Sequence, residues 1–188
     1  MRVGRLLTYR EPPFEGYDLI CFRSPDPAPG FQLIERLIRY RHDGREFASA
    51  GWPIHQAAPH DAYECAHVAQ WSYTLDQFHR DPKISFKKAD HLKADWTRQL
   101  VEGAADRVHI ARMNGRAAGY CATMHDNIEL IAVAPEHRGM GLGRALVRQA
   151  VIDGAKTVGT QEDNPVRAMY ESLGFERVSE LNTFHWAR

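Results

Sequence analysis

The chain is poor in several features, and each shortage closes off a class of answer. Only three cysteines occur among 188 residues, Cys21, Cys65 and Cys121, far apart and odd in number. Such a set offers no disulfide framework and reads as reduced thiols, which predicts a cytoplasmic protein. Neither sign of charge is in excess: 24 basic and 24 acidic residues cancel to a formal net charge of zero. Bulk electrostatics therefore point to neither a nucleic acid nor a membrane surface as partner. No apolar run approaches a membrane span, and the charged Met-Arg-Val-Gly-Arg start is not expected to be a signal peptide. Internal repeats and low-complexity tracts are missing too. Ten histidines raise the idea of a metal, but Cys65-x-His67, His55 and His60 lack any zinc spacing, so no metal is expected. The length suits one domain with a sizeable core.

What is present is concentrated in Ile131-Ala-Val-Ala-Pro-Glu-His-Arg-Gly-Met-Gly-Leu-Gly-Arg-Ala-Leu146. An apolar run of strand character meets Pro135, then a glycine-rich basic loop, then an apolar helical pattern. The first N–H groups of a helix lack intrahelical partners, and the helix dipole adds partial positive charge there. Gly139, Gly141 and Gly143 leave the backbone bare, so these N–H groups can close on a pyrophosphate. Arg138, just before the loop, suits a phosphate contact. Arg144 lies in the first turn, where a cation is disfavoured unless an anion binds there. A dinucleotide fingerprint is the competing reading, with Glu162 as its acidic residue. It fails on spacing, because Pro135-Glu-His-Arg138 separates strand from glycine and no second βαβ unit follows.

Around this stretch the pattern predicts further elements. Tyr17 to Phe22 reads as a strand, ended by the turn-rich Ser24 to Gly30. Phe31 to Arg41 places Leu33, Ile34, Leu37 and Ile38 at helical spacing, which predicts an amphipathic helix. Residues 42–62 are polar and interrupted by proline, and carry no assignment. Ala62 to Tyr73 is compatible with a strand, and Lys88 to Glu102 with a helix stopped at Gly103. Arg107 to Met113 and Arg116 to Met124 flank Asn114-Gly115, a strong hairpin signal. Strands follow at Asn127 to Val133 and Lys156 to Thr160, separated by a helix from about Gly141 to Ile152. Asn164-Pro165 opens a helix in which Val166, Met169, Tyr170 and Leu173 share a face before Gly174. Val178 to Trp186 is the last strand.

Two of these motifs resemble those of a known superfamily. Arg138-Gly-Met-Gly-Leu-Gly143 fits the Arg/Gln-x-x-Gly-x-Gly/Ala signature of the GNAT superfamily of acetyl-CoA-dependent N-acyltransferases. Asp163-Asn-Pro-Val-Arg-Ala-Met-Tyr-Glu-Ser-Leu-Gly-Phe175 looks like its second motif, in which an Asn caps a helix that carries a Tyr. The family usually spaces that pair by seven, whereas Asn164 and Tyr170 differ by six, which leaves either Asp163 or Asn164 in the capping role. A narrower resemblance, to the sugar-nucleotide branch typified by TDP-fucosamine acetyltransferase, rests on Gln77-Phe-His-Arg-Asp-Pro-Lys-Ile84, Ala89, Leu92, Trp96, Gly103, Val158-Gly-Thr-Gln161 and Phe184-His-Trp186. The first 60 residues match no named pattern.

The resemblance implies an α/β (α+β) fold, a mixed, mostly antiparallel central sheet flanked by helices. It implies one domain over 1–188, with 1–103 shaping the acceptor side and 104–188 holding acetyl-CoA as co-substrate. Backbone groups of Ile131, Ala132 and Val133 would pair with the pantetheine arm, an N–H of Val133 would polarise the thioester carbonyl, and Arg138, Gly139, Met140, Gly141, Leu142, Gly143 and Arg144 would hold the pyrophosphate, with Asn164 beside them. Tyr170 sits on the apolar stripe of its helix and by periodicity alone would be a core residue. By the motif it protonates the departing thiolate, which a phenol of pKa about 10 can do for a thiol of about 8.5. Glu129 shares a face with Ile131 and Val133 and is the base candidate. His125, Asp126, a water relay or a solvated role for Glu129 stay open. The implied acceptor is a small-molecule primary amine, best a nucleotide-linked 4-amino-deoxysugar, for which a basic acceptor groove would speak. An amino acid, antibiotic or protein amine is the alternative, and a non-catalytic acyl-CoA-binding module a further one. No nucleic acid and no membrane span are expected, and a homodimer is compatible with the sequence.

Overall fold

The computed structural model describes residues 3–6 and 14–187; Met1 and Arg2 of the charged start, 7–13 and Arg188 lie outside them. Among the described residues, nine strands form one sheet in the order β1-β2-β9-β3-β8-β7-β6-β5-β4. They are β1 Val3–Leu6, β2 Leu19–Ser24, β3 Gln32–His42, β4 Ile54–Gln56, β5 Arg107–Met113, β6 Arg116–Met124, β7 Asn127–Val133, β8 Thr157–Gln161 and β9 Phe175–Ala187. The helices are α1 Ala62–Gln70, α2 Gln77–Arg80, α3 Phe86–Gln99, α4 Leu142–Ile152 and α5 Arg167–Ser172. The β1–β2 and β7–β8 pairs are parallel and the other pairs antiparallel, so the sheet is mixed and mostly antiparallel, as expected.

The hairpin β5–β6 forms where Asn114-Gly115 predicts it. Both turn residues have positive φ, 52° and 79°, the left-handed pair that matches the twist of the strands. Helix α4 follows the glycine loop, with Leu142, Ala145, Leu146, Val147 and Ala150 on its buried face. That face packs on one side of the sheet with Ile128, Val158, Tyr170 and Phe175. Helix α1 covers the other side, where Cys65, Val68 and Ala69 meet Ile110, Tyr120, Leu130 and Ala132.

Two expectations are corrected. Phe31 to Arg41 is strand β3 rather than a helix, and it runs antiparallel to both β9 and β8. Both faces of this interior strand are covered: Ile38 packs in the α4 core, while Leu37 faces a cavity on the opposite side. A strand buried on both faces loses its alternation, and its paired apolar residues imitate helical spacing. Irregularities at Leu33/Glu35 and Arg39/Tyr40 break the period further. Conversely, Ala62 to Tyr73 is helix α1 and its exit turn rather than a strand. Its buried residues Ala62, Cys65, Val68 and Ala69 recur at helical intervals, but they are small and carry little of the signal that larger side chains would. Within 42–62, which had no assignment, lie β4 and a 3₁₀ turn at Pro59–Asp61.

Candidate active site

Strands β7 and β8 are paired only at Asn127–Thr157 and Ile128–Val158. Beyond these residues they part, and a cavity of about 590 Å³ opens between them. Its walls include Glu129 to Val133 from β7, Val158 to Gln161 from β8, Ser72 to Gln77 after α1, and Tyr170 from α5. The Ala134 N–H donates to Ala118 of β6. Alternation along an antiparallel pair therefore turns the N–H groups of Ile131 and Val133 to the parted edge. Glu129, Ile131 and Val133 are half-buried on the cavity side, while Ala132 is buried toward α1. Two carbonyls on this edge already carry bonds: Tyr73 donates to Ile131 O at 3.0 Å and Ser72 to Val133 O at 3.2 Å.

The glycine loop meets the start of α4 as a bare backbone. Gly139 and Gly141 have φ of 78° and 85°, and Gly141 is the N-cap with no side chain to occupy the orphan N–H groups behind it. The first helical acceptor, Gly141 O, is used by Ala145 N, so the N–H groups of Leu142, Gly143 and Arg144 stay without an intrahelical partner. The Leu142 side chain is buried in the core, so it offers the site its backbone only, whereas the Met140 side chain is exposed. Trp52 lies over the loop, its Nε1 3.6 Å from where a Cβ of Gly141 would stand. Arg138 spends two N–H groups on carbonyls, Ser72 O at 2.8 Å and Val133 O at 3.3 Å. Arg144 reaches Ser172 Oγ at 2.8 Å. Both arginines thus brace the cradle in this structure.

Helix α5 starts at Arg167 with Val166 as its N-cap, so neither Asp163 nor Asn164 caps it directly, and Asn164-Pro165 form the turn before it. Asn164 Oδ1 accepts from Val166 N at 3.1 Å and its amide donates to Gln161, while Asp163 turns outward to Arg80 at 2.6 Å. Tyr170 is 2 % exposed, in contact with the core as its periodicity says, yet it also lines the cavity. Burial raises its phenol above the ordinary tyrosine value, and among the described residues its hydroxyl has no hydrogen-bond partner. Glu129 accepts from Asn127 Nδ2 at 2.9 Å. His125 and Asp126 are not among the lining residues; Asp126 O instead takes Lys156 N and Thr157 N.

Several cavity residues carry no sequence signal. Glu35, on β3, is 4 % exposed and accepts from Gln161 at 3.1 Å and Thr183 at 3.2 Å. Burial pushes its carboxyl up, against the Gln161 hydrogen bond and the Arg23 charge. Burial lowers Arg23, which also lines the cavity with Arg5 and Arg39. Asp76 caps α2 by accepting from Phe78 N, and its other oxygen meets His79 Nδ1 at 2.5 Å. Burial works against the Asp76 charge, but Lys93 and His79 hold its carboxyl below the usual range. These residues converge because β3 inserts between β8 and β9, an arrangement no local pattern announces.

The Acetyltransferase (GNAT) domain family matches residues 104–177, the stretch that builds β5 to the start of β9. This part of the chain is thus similar to GNAT acetyltransferase domains. The spore coat polysaccharide biosynthesis protein SpsD of Bacillus subtilis (strain 168) is 29% identical over 139 residues, 68% of this chain and 48% of that protein. The chain therefore spans about half the length of this curated relative. A GNAT-family structure from Novosphingobium aromaticivorans DSM 12444 superimposes with a TM-score of 0.64 at 20% identity, over 89% of this chain and 73% of that one. A GNAT-family acetyltransferase from Colwellia psychrerythraea does so with a TM-score of 0.58 at 11% identity, over 92% and 66%. At these identities the structures speak for the fold alone, and the matched stretch includes both β7 and the glycine loop. No helix among the described residues is long and apolar enough to cross a membrane.

Proposed function

We propose that the chain transfers an acetyl group from acetyl-CoA to the 4-amino group of a nucleotide-linked deoxysugar, directly and within a ternary complex. The observation that carries the acceptor class is the charge of the cavity wall. Arg5, Arg23, Arg39, Lys93 and Arg138 line it against Glu35, Asp76 and Glu129, on a chain whose formal net charge is zero. A local cationic excess suits an acceptor that carries phosphates. The likeness to SpsD, a polysaccharide biosynthesis protein by name, agrees with such an acceptor.

The residues fit the co-substrate. N–H groups from Gly139 to Arg144 suit a pyrophosphate, and the free edge at Ile131 and Val133 suits a strand-like pantetheine arm. The amine attacks as the free base, its lone pair forming the C–N bond at the thioester carbonyl. An N–H of Val133 faces the developing oxyanion. The C–S bond then breaks, Tyr170 gives its proton to the sulfur, and the proton lost by the amine passes through Glu129 or water. Holding amine and thioester in line supplies much of the rate. The test is incubation with acetyl-CoA and TDP- or UDP-linked 4-amino-deoxysugars. One added acetyl group on the sugar by mass supports the reading. Acetyl transfer only to amino acids or polyamines would replace the acceptor, and no thiol release with any amine would leave a non-catalytic acyl-CoA-binding module.

A further inference from the structure

Lys93 stands in the middle of α3, yet it is 4 % exposed. A helical lysine ordinarily carries its ammonium out to water. Here the side chain is sunk into a box of rings, with Nζ 4.6 Å from the Tyr73 centroid, 4.9 Å from Trp96 and 5.5 Å from Phe78. Its counter-charge, Asp76 Oδ1, lies at 3.7 Å, an ion pair longer than a hydrogen bond. Among the described residues the ammonium makes no hydrogen bond. A buried ammonium with unfilled donors is costly, so its donors call for an acceptor that the protein itself does not supply.

Asp76 cannot turn to meet it. One oxygen accepts from Phe78 N at 3.0 Å, and the other is held by His79 Nδ1, whose Nε2 is in turn 3.1 Å from Asp90. Nor is the ammonium sealed off. The fully enclosed, unpartnered polar side-chain atoms among the described residues are His109 Nδ1 and Arg148 Nε, and Lys93 lines the same cavity as Tyr170.

We propose that Lys93 is an acceptor-binding residue that donates to an oxygen, a ring hydroxyl or carbonyl, on the amine-bearing part of the substrate, and so selects oxygenated amines. The aromatic box fixes the ammonium, and the Asp76–His79–Asp90 chain fixes its counter-ion. The inference rests on the acetyl-transfer reading above. A site built to hydrogen-bond a substrate oxygen discriminates strongly against an analogue without it.

The test compares wild type, Lys93→Met and Lys93→Gln with acetyl-CoA. The acceptors are TDP-4-amino-4,6-dideoxygalactose, glutamate and spermidine; the oxygenated one that the wild type acetylates serves as the probe, and transfer to spermidine alone, which carries no oxygen, overturns the inference. With that probe, Lys93→Met is expected to raise acceptor KM roughly ten- to hundredfold, the scale of one lost charge-assisted hydrogen bond. kcat and the calorimetric Kd for acetyl-CoA should stay within about threefold, on the order of 0.6 kcal/mol. Lys93→Gln, which keeps a donor, is expected to recover part of the loss. Unchanged acceptor KM in a Lys93→Met protein that still binds acetyl-CoA overturns the inference and leaves the acetyl-transfer reading standing. A wild type that acetylates none of the three overturns both. Should Lys93→Met fail to fold, Lys93→Leu, which also lacks a donor, takes its place, and wild-type acceptor KM there overturns the inference.

Discussion

Tyr73 donates its hydroxyl to the Ile131 carbonyl at 3.0 Å while sharing a second contact, also of 3.0 Å, with the Tyr120 hydroxyl. The loop after α1 is thereby pinned to the parted edge of β7. Tyr73→Phe removes both contacts from the half-buried wall of the cavity. Loss of about 1 kcal/mol of stability per buried hydrogen bond is expected, read as a lower urea midpoint at unchanged slope. Wild-type stability would mean that the pin contributes nothing.

Gly141 is the N-cap of α4 at φ 85°, a conformation that costs a residue with a side chain about 1–2 kcal/mol. A β-branched side chain there would also stand where a phosphate approaches the bare loop. Gly141→Val is expected to abolish measurable acetyl-CoA binding by calorimetry while far-ultraviolet circular dichroism shows a folded chain. Full binding in a folded variant would sink the cradle.

His79 is buried between two carboxylates, Asp76 and Asp90, with the edge of Phe86 against its ring. Burial alone would lower its pKa, but the two carboxylates win and raise it. A histidine raised in the folded state stabilises fully below its unfolded pKa of about 6.5, and that contribution is lost as pH climbs through the folded value. The stability gap between wild type and His79→Gln should therefore be larger at pH 6 than at pH 9 in urea titrations. A gap that widens with pH would contradict the assignment.

Cys21, Cys65 and Cys121 are all buried and free, and burial pushes each thiol up to about 12. Thiols held so far from ionisation are poor nucleophiles. Iodoacetamide at pH 8 is expected to leave the native chain unmodified and to alkylate all three cysteines in denaturant, counted by mass. Rapid native labelling would mean that one of these thiols opens to solvent.

The legible part of the molecule is the part whose geometry is local. Asn114-Gly115 sets its hairpin through its own backbone, and the run from Ile131 to Leu146 writes strand, loop and helix in succession. Asn164 and Tyr170 lie in one short segment, so their motif survives as pattern. Glu35, Arg23 and Lys93 reach the cavity only through long-range pairing and helix packing. Strand β3 imitates a helix in sequence because Leu37 and Ile38 are buried on opposite faces, a condition set by neighbours far away in the chain. The same imitation masks Glu35, which a helical period places on a solvent face. Lys93 was invisible for the opposite reason: on a helix with Lys87 and Lys88 exposed beside it, nothing in its identity marks burial.

In the proposed reaction, acetyl transfer takes place where β7 and β8 part, with Tyr170 as proton donor to the leaving thiolate. The most direct measurement is the turnover of Tyr170→Phe with chemistry rate-limiting, alongside its calorimetric affinity for acetyl-CoA. Loss of general-acid catalysis predicts a fall of about 10²- to 10⁴-fold in turnover, with acetyl-CoA affinity little changed. Wild-type turnover in that variant would contradict the account.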